Sequence, residues 1–122
     1  MRIGVDIIDI ERMEKAIKRT PNFLLRVFSQ QELDYCMPKK NPYPSLAARF
    51  AAKEAFRKID PIFTKGIRFH DVEVMINREG RPELLLHPSI LEKAAGIGIN
   101  QWDISLSHSH SQAIAAIIAD KG

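Results

Sequence analysis

The sequence predicts an α+β fold, a small antiparallel sheet packed with helices, in a single domain over residues 1–122. Three observations lead there. A chain of 122 residues suits one domain and can bury about two-thirds of the surface its unfolded form exposes. Its first half carries apolar residues mostly at helical spacing, whereas its second half alternates with period two. The elements then read β-α-α-α-β-β-α-β-β, with hairpins in place of regular βαβ alternation.

Arg2 to Ile8 reads as a strand, with Ile3, Val5 and Ile7 on one face and Gly4, Asp6 and Ile8 on the other. Asp9 can cap a helix over about 10–19, whose buried stripe is Ile10, Met13 and Ile17. Thr20-Pro21 stops it, and Phe23-Leu24-Leu25 makes a short apolar turn. Ser29-Gln30-Gln31-Glu32 has the form of a capping box and starts a helix to about Cys36. Three prolines within 38–44 forbid regular structure, so this stretch is a surface loop. Pro44 opens the next helix, about 44–58. Leu46, Ala47, Phe50, Ala51 and Ala55 form one face of it, and Arg49, Lys53 and Arg57 line another. Val72, Val74 and Ile76, the turn 77–82 and the return 83–86 make a hairpin. Ser89 caps a helix to about Gly96, and strands 102–107 and 112–119 close the chain around polar Ser107 to Ser111.

Composition excludes several classes. Hydrophobic residues are 45% and charged residues 27%, which is neither disordered nor fibrous. The longest apolar run, Ala113 to Ala119, is far short of the ~20 residues a spanning helix needs. Asp6 breaks a signal-peptide reading. Cys36 is the only cysteine, which excludes an internal disulfide and points to a reducing cytoplasm. Net charge is +3, but residues 11–58 hold eleven Lys/Arg against five Asp/Glu. That half suits an acidic partner or is simply a solvated basic face.

Three groups of residues could carry chemistry. Asp6 is a carboxylate in an apolar strand: either the strand's polar face is solvated, or a cation accompanies it. In Arg49-Phe50-Ala51-Ala52-Lys53-Glu54-Ala55-Phe56-Arg57-Lys58, Glu54 and Lys58 are neighbours at i,i+4, as are Arg49 and Lys53. This is either an exposed salt-bridged helix or a hard-cation ligand, Glu54, amid cations for a polyanion. In Ser105-Leu106-Ser107-His108-Ser109-His110-Ser111, two histidines at i,i+2 lack a third ligand of matching type. A polar hairpin tip, a phosphate contact and a proton-transfer role all remain open for His108.

Together, in this order, these stretches resemble the holo-acyl-carrier-protein synthase type of 4′-phosphopantetheinyl transferase. The matching blocks are Gly4-Val5-Asp6-Ile7-Ile8-Asp9-Ile10-Glu11-Arg12, Phe28-Ser29 with Glu32, Arg49 to Ala55 with Lys58, Glu79-Gly80-Arg81-Pro82 and Ser105 to Ser109. The chain departs from the family at 59–66, where one glycine stands in place of a Gly-rich stretch.

The resemblance implies transfer of the phosphopantetheine arm of coenzyme A to a serine of apo acyl carrier protein. Adenosine 3′,5′-bisphosphate is the other product, and fatty acid biosynthesis is the process served. It implies Mg²⁺ on Asp6 and Glu54, with Asp6, Glu54, Lys58 and His108 as catalytic residues. Arg49, Lys53, Lys58, Pro82 and His108 would bind coenzyme A, and metal-bound water or Glu54 would take the serine proton. Arg12, Lys15 and Arg19 on the first helix, which also carries Lys18, would meet the acidic carrier. A homotrimer with its site between subunits is likewise implied. Two rivals from other classes remain. A nucleic-acid module has little aromatic interleaving to support it, at 7% aromatic residues; a non-catalytic carrier partner would need neither coenzyme A nor Mg²⁺.

Overall fold

A computed structural model describes residues 1–122. The order is β1 (Arg2–Asp9), α1 (Ile10–Arg19), α2 (Phe23–Val27), α3 (Gln30–Cys36), α4 (Tyr43–Arg57), β2 (Val72–Ile76), β3 (Pro82–Leu86), α5 (Pro88–Gly96), β4 (Gln101–His108) and β5 (Gln112–Asp120). Short 3₁₀ turns at Pro61–Thr64 and Phe69–Asp71 precede β2. The α+β, antiparallel expectation holds: β5 lies between β1 and β4, and β2–β3 forms a separate two-stranded sheet.

Local signals explain most boundaries. Asp9 accepts from Arg12 N–H and starts α1, and Ser29 and Glu32 form the reciprocal capping box of α3. Two expectations are corrected. The segment read as an apolar turn is the helix α2, entered through Asn22 at φ 62°, a left-handed conformation that asparagine tolerates. Helix α5 is capped by the His87 imidazole, which accepts from Ser89 N–H, instead of by Ser89.

Small residues bring α4 close to the sheet. Ala113, Ala115, Ile117 and Ala119 on β5 are fully buried, as are Ala47, Ala51, Ala52 and Ala55 on α4. Gly4 is required here, because a Cβ on it would overlap the Ala55 carbonyl. The aromatic cluster Phe56, Phe63 and Trp102 completes this core. A second apolar cluster joins α1, α2, α3 and the first half of α4. Helix α4 therefore passes through both, and Arg49 and Lys53, on the helix face for which a solvated helix and a polyanion site were both open, are buried. The helix has apolar surroundings on nearly every side.

The outer sheet face is unusual for its polarity. Ile3, Val5, Ile7, Ile114 and Ile118 are all exposed, and the register aligns Ile3 with Ile118 and Ile7 with Ile114. This is an apolar patch looking outward.

Candidate active site

Strand parity settles which way Asp6 points. Gly4 faces α4, so Asp6, two residues on, shares that inner face, and it pairs across the ladder with Ala115. Its carboxylate accepts from Lys58 Nζ at 2.7 Å. The same ammonium donates to Val5 O at 3.1 Å. Lys58 is the C-cap of α4, and Glu54, half-buried, lies one turn earlier on the same side of the helix. Asp6 on the strand holds the ammonium, and the helix carries Glu54 one turn before Lys58. Arg2 pairs with Asp60, tying the start of β1 to the chain just beyond α4. The Asp60 carboxyl is held below the usual range, first by Ile62 N–H and then by Arg2.

His108 also sits on the inner face, since it pairs with Ala113, and Ala113 pairs with Ile8. Its ring is exposed at the end of β4, one pleat period beyond the level of Asp6. His110 lies in the exposed turn between β4 and β5. No three His, Cys, Asp or Glu side chains converge as a metal-binding group, so the two histidines do not build one.

Lys53, expected to meet coenzyme A, spends its ammonium inside the protein. Its Nζ donates to Glu32 Oε1 at 2.8 Å, Phe69 O at 3.1 Å and Val72 O. An ammonium has three donors, and all three are used within the protein. Burial pushes the Lys53 ammonium below the usual lysine range, against the opposing pull of Glu32.

Arg49 is different. It is 3% exposed, donates from Nη1 to Ser45 O at 3.2 Å, and leaves Nε and Nη2 without partners. Its guanidinium lies over Tyr35, 4.7 Å from the ring centroid, and Lys39 lies 4.6 Å from the same centroid. Tyr35 and Lys39 were not among the expected site residues; nothing in their spacing joins α3 to α4 before the fold does.

Pro82 opens β3 and, with Arg81 and Trp102, lines a cleft of about 500 Å³ between the hairpin and β4. On α1, Lys15 and Lys18 pair with Glu11 and Glu14, surface pairs of small energetic weight. Arg12 and Arg19 line a cleft of about 310 Å³ whose walls include Ile7, Phe23 and Phe50. The basic helix therefore borders an apolar recess.

Comparison with known proteins decides what kind of chain carries this arrangement. Residues 2–117 match the model of the 4′-phosphopantetheinyl transferase superfamily. The chain belongs to that superfamily. The transferase is 40% identical to a holo-[acyl-carrier-protein] synthase from Moorella thermoacetica, over 98% of this chain and 94% of that one. Its fold superposes on the Neisseria meningitidis holo-[acyl-carrier-protein] synthase with a TM-score of 0.84 at 30% identity, covering 98% of both chains. The Helicobacter pylori synthase, solved in complex with coenzyme A, gives 0.79 at 32% identity over 97% of this chain and 99% of that one. No helix of the transferase is long and apolar enough to cross a membrane.

Proposed function

We propose that this transferase moves the 4′-phosphopantetheine arm of coenzyme A onto a serine of an apo acyl carrier protein. The reading rests on one observation above the others: Asp6 faces α4 beside Lys58, with Glu54 on the adjoining turn, in a chain of this superfamily. The serine oxygen bonds to the pantetheine-side phosphorus and the pyrophosphate bridge breaks. The serine proton goes to a base, and adenosine 3′,5′-bisphosphate leaves.

The carboxylates fit a hard cation. Mg²⁺ keeps several waters, takes one or two carboxylates and shares its other positions with substrate phosphates. Asp6 and Glu54 supply two, and Asp6 already holds a positive group. A bound Mg²⁺ would neutralise charge on the pyrophosphate. Lys58 adds an ammonium that is about half exposed, and Arg49 adds two nitrogens, Nε and Nη2, without a partner in the protein. His108 and Pro82 complete the proposed coenzyme A contacts. The test is direct: incubate the protein with apo carrier protein, coenzyme A and Mg²⁺, then weigh the carrier. A mass gain of one phosphopantetheine supports the reading, and an unmodified carrier sinks it.

Carrier docking falls to α1. Reversing the charge of Arg12, Lys15 and Arg19 is expected to raise the carrier KM by an order of magnitude or more while the coenzyme A KM holds within about twofold, because rim charges act by long-range attraction. The carrier KM of the unaltered protein should climb with ionic strength. A triple variant that loses coenzyme A affinity instead would count against this division.

His108 donates to phosphate in its charged form. His108→Ala should weaken coenzyme A binding by ~1–3 kcal/mol, the range of a charge-assisted hydrogen bond. His110→Ala should bind normally. Measuring affinity and turnover separately for each variant checks both; intact affinity with slowed turnover in His108→Ala would reassign it as a base.

The apolar outer face of β1 and β5 is the surface for self-association into a homotrimer. Placing glutamate at Ile3 and Ile7 should give a folded monomer by light scattering. A variant that keeps its assembled mass would remove this face from the interface. The setting that goes with this activity is fatty acid biosynthesis in the cytoplasm.

A further inference from the structure

The strand β2 has an open edge, and two side chains occupy it. Ladder bonds from His87 N–H to Asp71 O and from Asn77 N–H to Arg81 O bracket the hairpin. By period two, the odd-numbered residues of β2 bond to β3, and the backbone groups of Val72 and Val74 point the other way. No strand lies there. Glu32 Oε2 accepts from Val74 N–H at 3.0 Å, and Lys53 Nζ donates to Val72 O. Lys53 also takes the Phe69 carbonyl in the 3₁₀ turn before β2. Ser29, the cap of α3, adds a bond from its hydroxyl to Glu73 at 2.7 Å. The ion pair itself, at 2.8 Å, is almost wholly buried.

We infer that Glu32 and Lys53 act together as a surrogate strand, seating the β2–β3 hairpin on α3 and α4 and thereby placing Pro82, at the start of β3, for coenzyme A. They are positioning residues that touch no substrate. The argument has a chemical reason for charge. A donor and an acceptor must meet the exposed edge of β2, in a buried place where unpaired backbone groups are costly. Lysine on one helix and glutamate on another satisfy that edge and each other at once. The hairpin has no hydrogen-bonded connection to the three-stranded sheet, so these contacts bear directly on where it sits. The coenzyme A half of this inference rests on the function proposed above.

A neutral pair separates positioning from stability. Glu32→Gln together with Lys53→Met leaves no unpaired charge, so the thermal midpoint should stay close to that of Glu32→Gln alone or exceed it. The lysine donors to Val72 O and Phe69 O are nevertheless gone. In the full chain, we expect amide exchange across 72–86 to accelerate at least tenfold and the coenzyme A KM to rise at least tenfold. The carrier KM should stay within about twofold. Unchanged exchange across 72–86 overturns the surrogate-strand role, whatever the kinetics. Faster exchange with an unchanged coenzyme A KM overturns the link from the hairpin to the coenzyme. Should the unaltered protein transfer nothing from coenzyme A, the proposed function fails, and the exchange measurement still decides the seating. Lys53→Arg, which keeps the charge but swaps a compact ammonium for a planar fork, supplies the same two readings if the neutral pair does not fold.

Discussion

Asp6→Ala and Glu54→Ala each leave the chain folded and lower transfer by on the order of 10³-fold or more, since charge stabilisation worth several kcal/mol is removed and each 1.4 kcal/mol is tenfold. The separation of chemistry from stability follows from where the two residues sit. Asp6 contacts Lys58, whose side chain is 54% exposed, and an ion pair that open to water contributes little to folding. Glu54 is half-buried and belongs to neither apolar cluster, whereas its neighbour Ala55 lies in the core. The thermal midpoint should therefore move by only a few degrees in either variant while the carrier stays unmodified. Turnover close to normal at saturating Mg²⁺ would remove that carboxylate from the site. A collapse of the midpoint would instead make it structural.

Gly4→Ala is expected to act on both stability and turnover. The added methyl would overlap the Ala55 carbonyl and press on Ile59. Both belong to backbone and core that cannot swing aside, so α4 must move away from β1. Overpacking of this kind costs about 1–3 kcal/mol. Because β1 carries Asp6 and α4 carries Glu54 and Lys58, the same shift widens the site, and a displacement of roughly 1 Å can cost about 10²-fold in rate. Thermal melting and turnover, measured where the variant is still fully folded, check the pair of effects. A destabilised but fully active variant would show that the spacing between strand and helix does not tune the chemistry.

Much of the fold was legible because its signals are local. Asp9, the Ser29–Glu32 box and the alternation of 72–76 each determine an element from within a few residues. The helix α2 was missed because Asn22 enters it through a left-handed backbone, which no apolar period announces. Asp6, Glu54 and Lys58 were legible as a set through family resemblance, and the fold puts Asp6 and Lys58 in contact. The burial of Lys53 was hidden in the sequence for a physical reason: a charge at helical spacing fits a solvated face or a ligand site equally well until its buried partner is known. Its partner Glu32 lies 21 residues earlier, beyond the reach of helical periodicity. The burial of Arg49 was hidden likewise, because its stacking on Tyr35 joins two helices across a proline-rich loop.

The pairing of Arg2 with Ala119 has a consequence for how the molecule comes into being. The first strand obtains its hydrogen-bonded neighbour only from the last one, more than a hundred residues downstream. Contacts so distant in sequence close slowly. During synthesis, the helices can form while β1 still has no strand beside it, and its row of isoleucine and valine stays available to any other extended chain. Asp6 waits with it. The carboxylate enters its pocket only once β5 has left the ribosome, so a nascent chain halted before Gln112 would carry every residue of the proposed metal site and still have nothing to hold them in register.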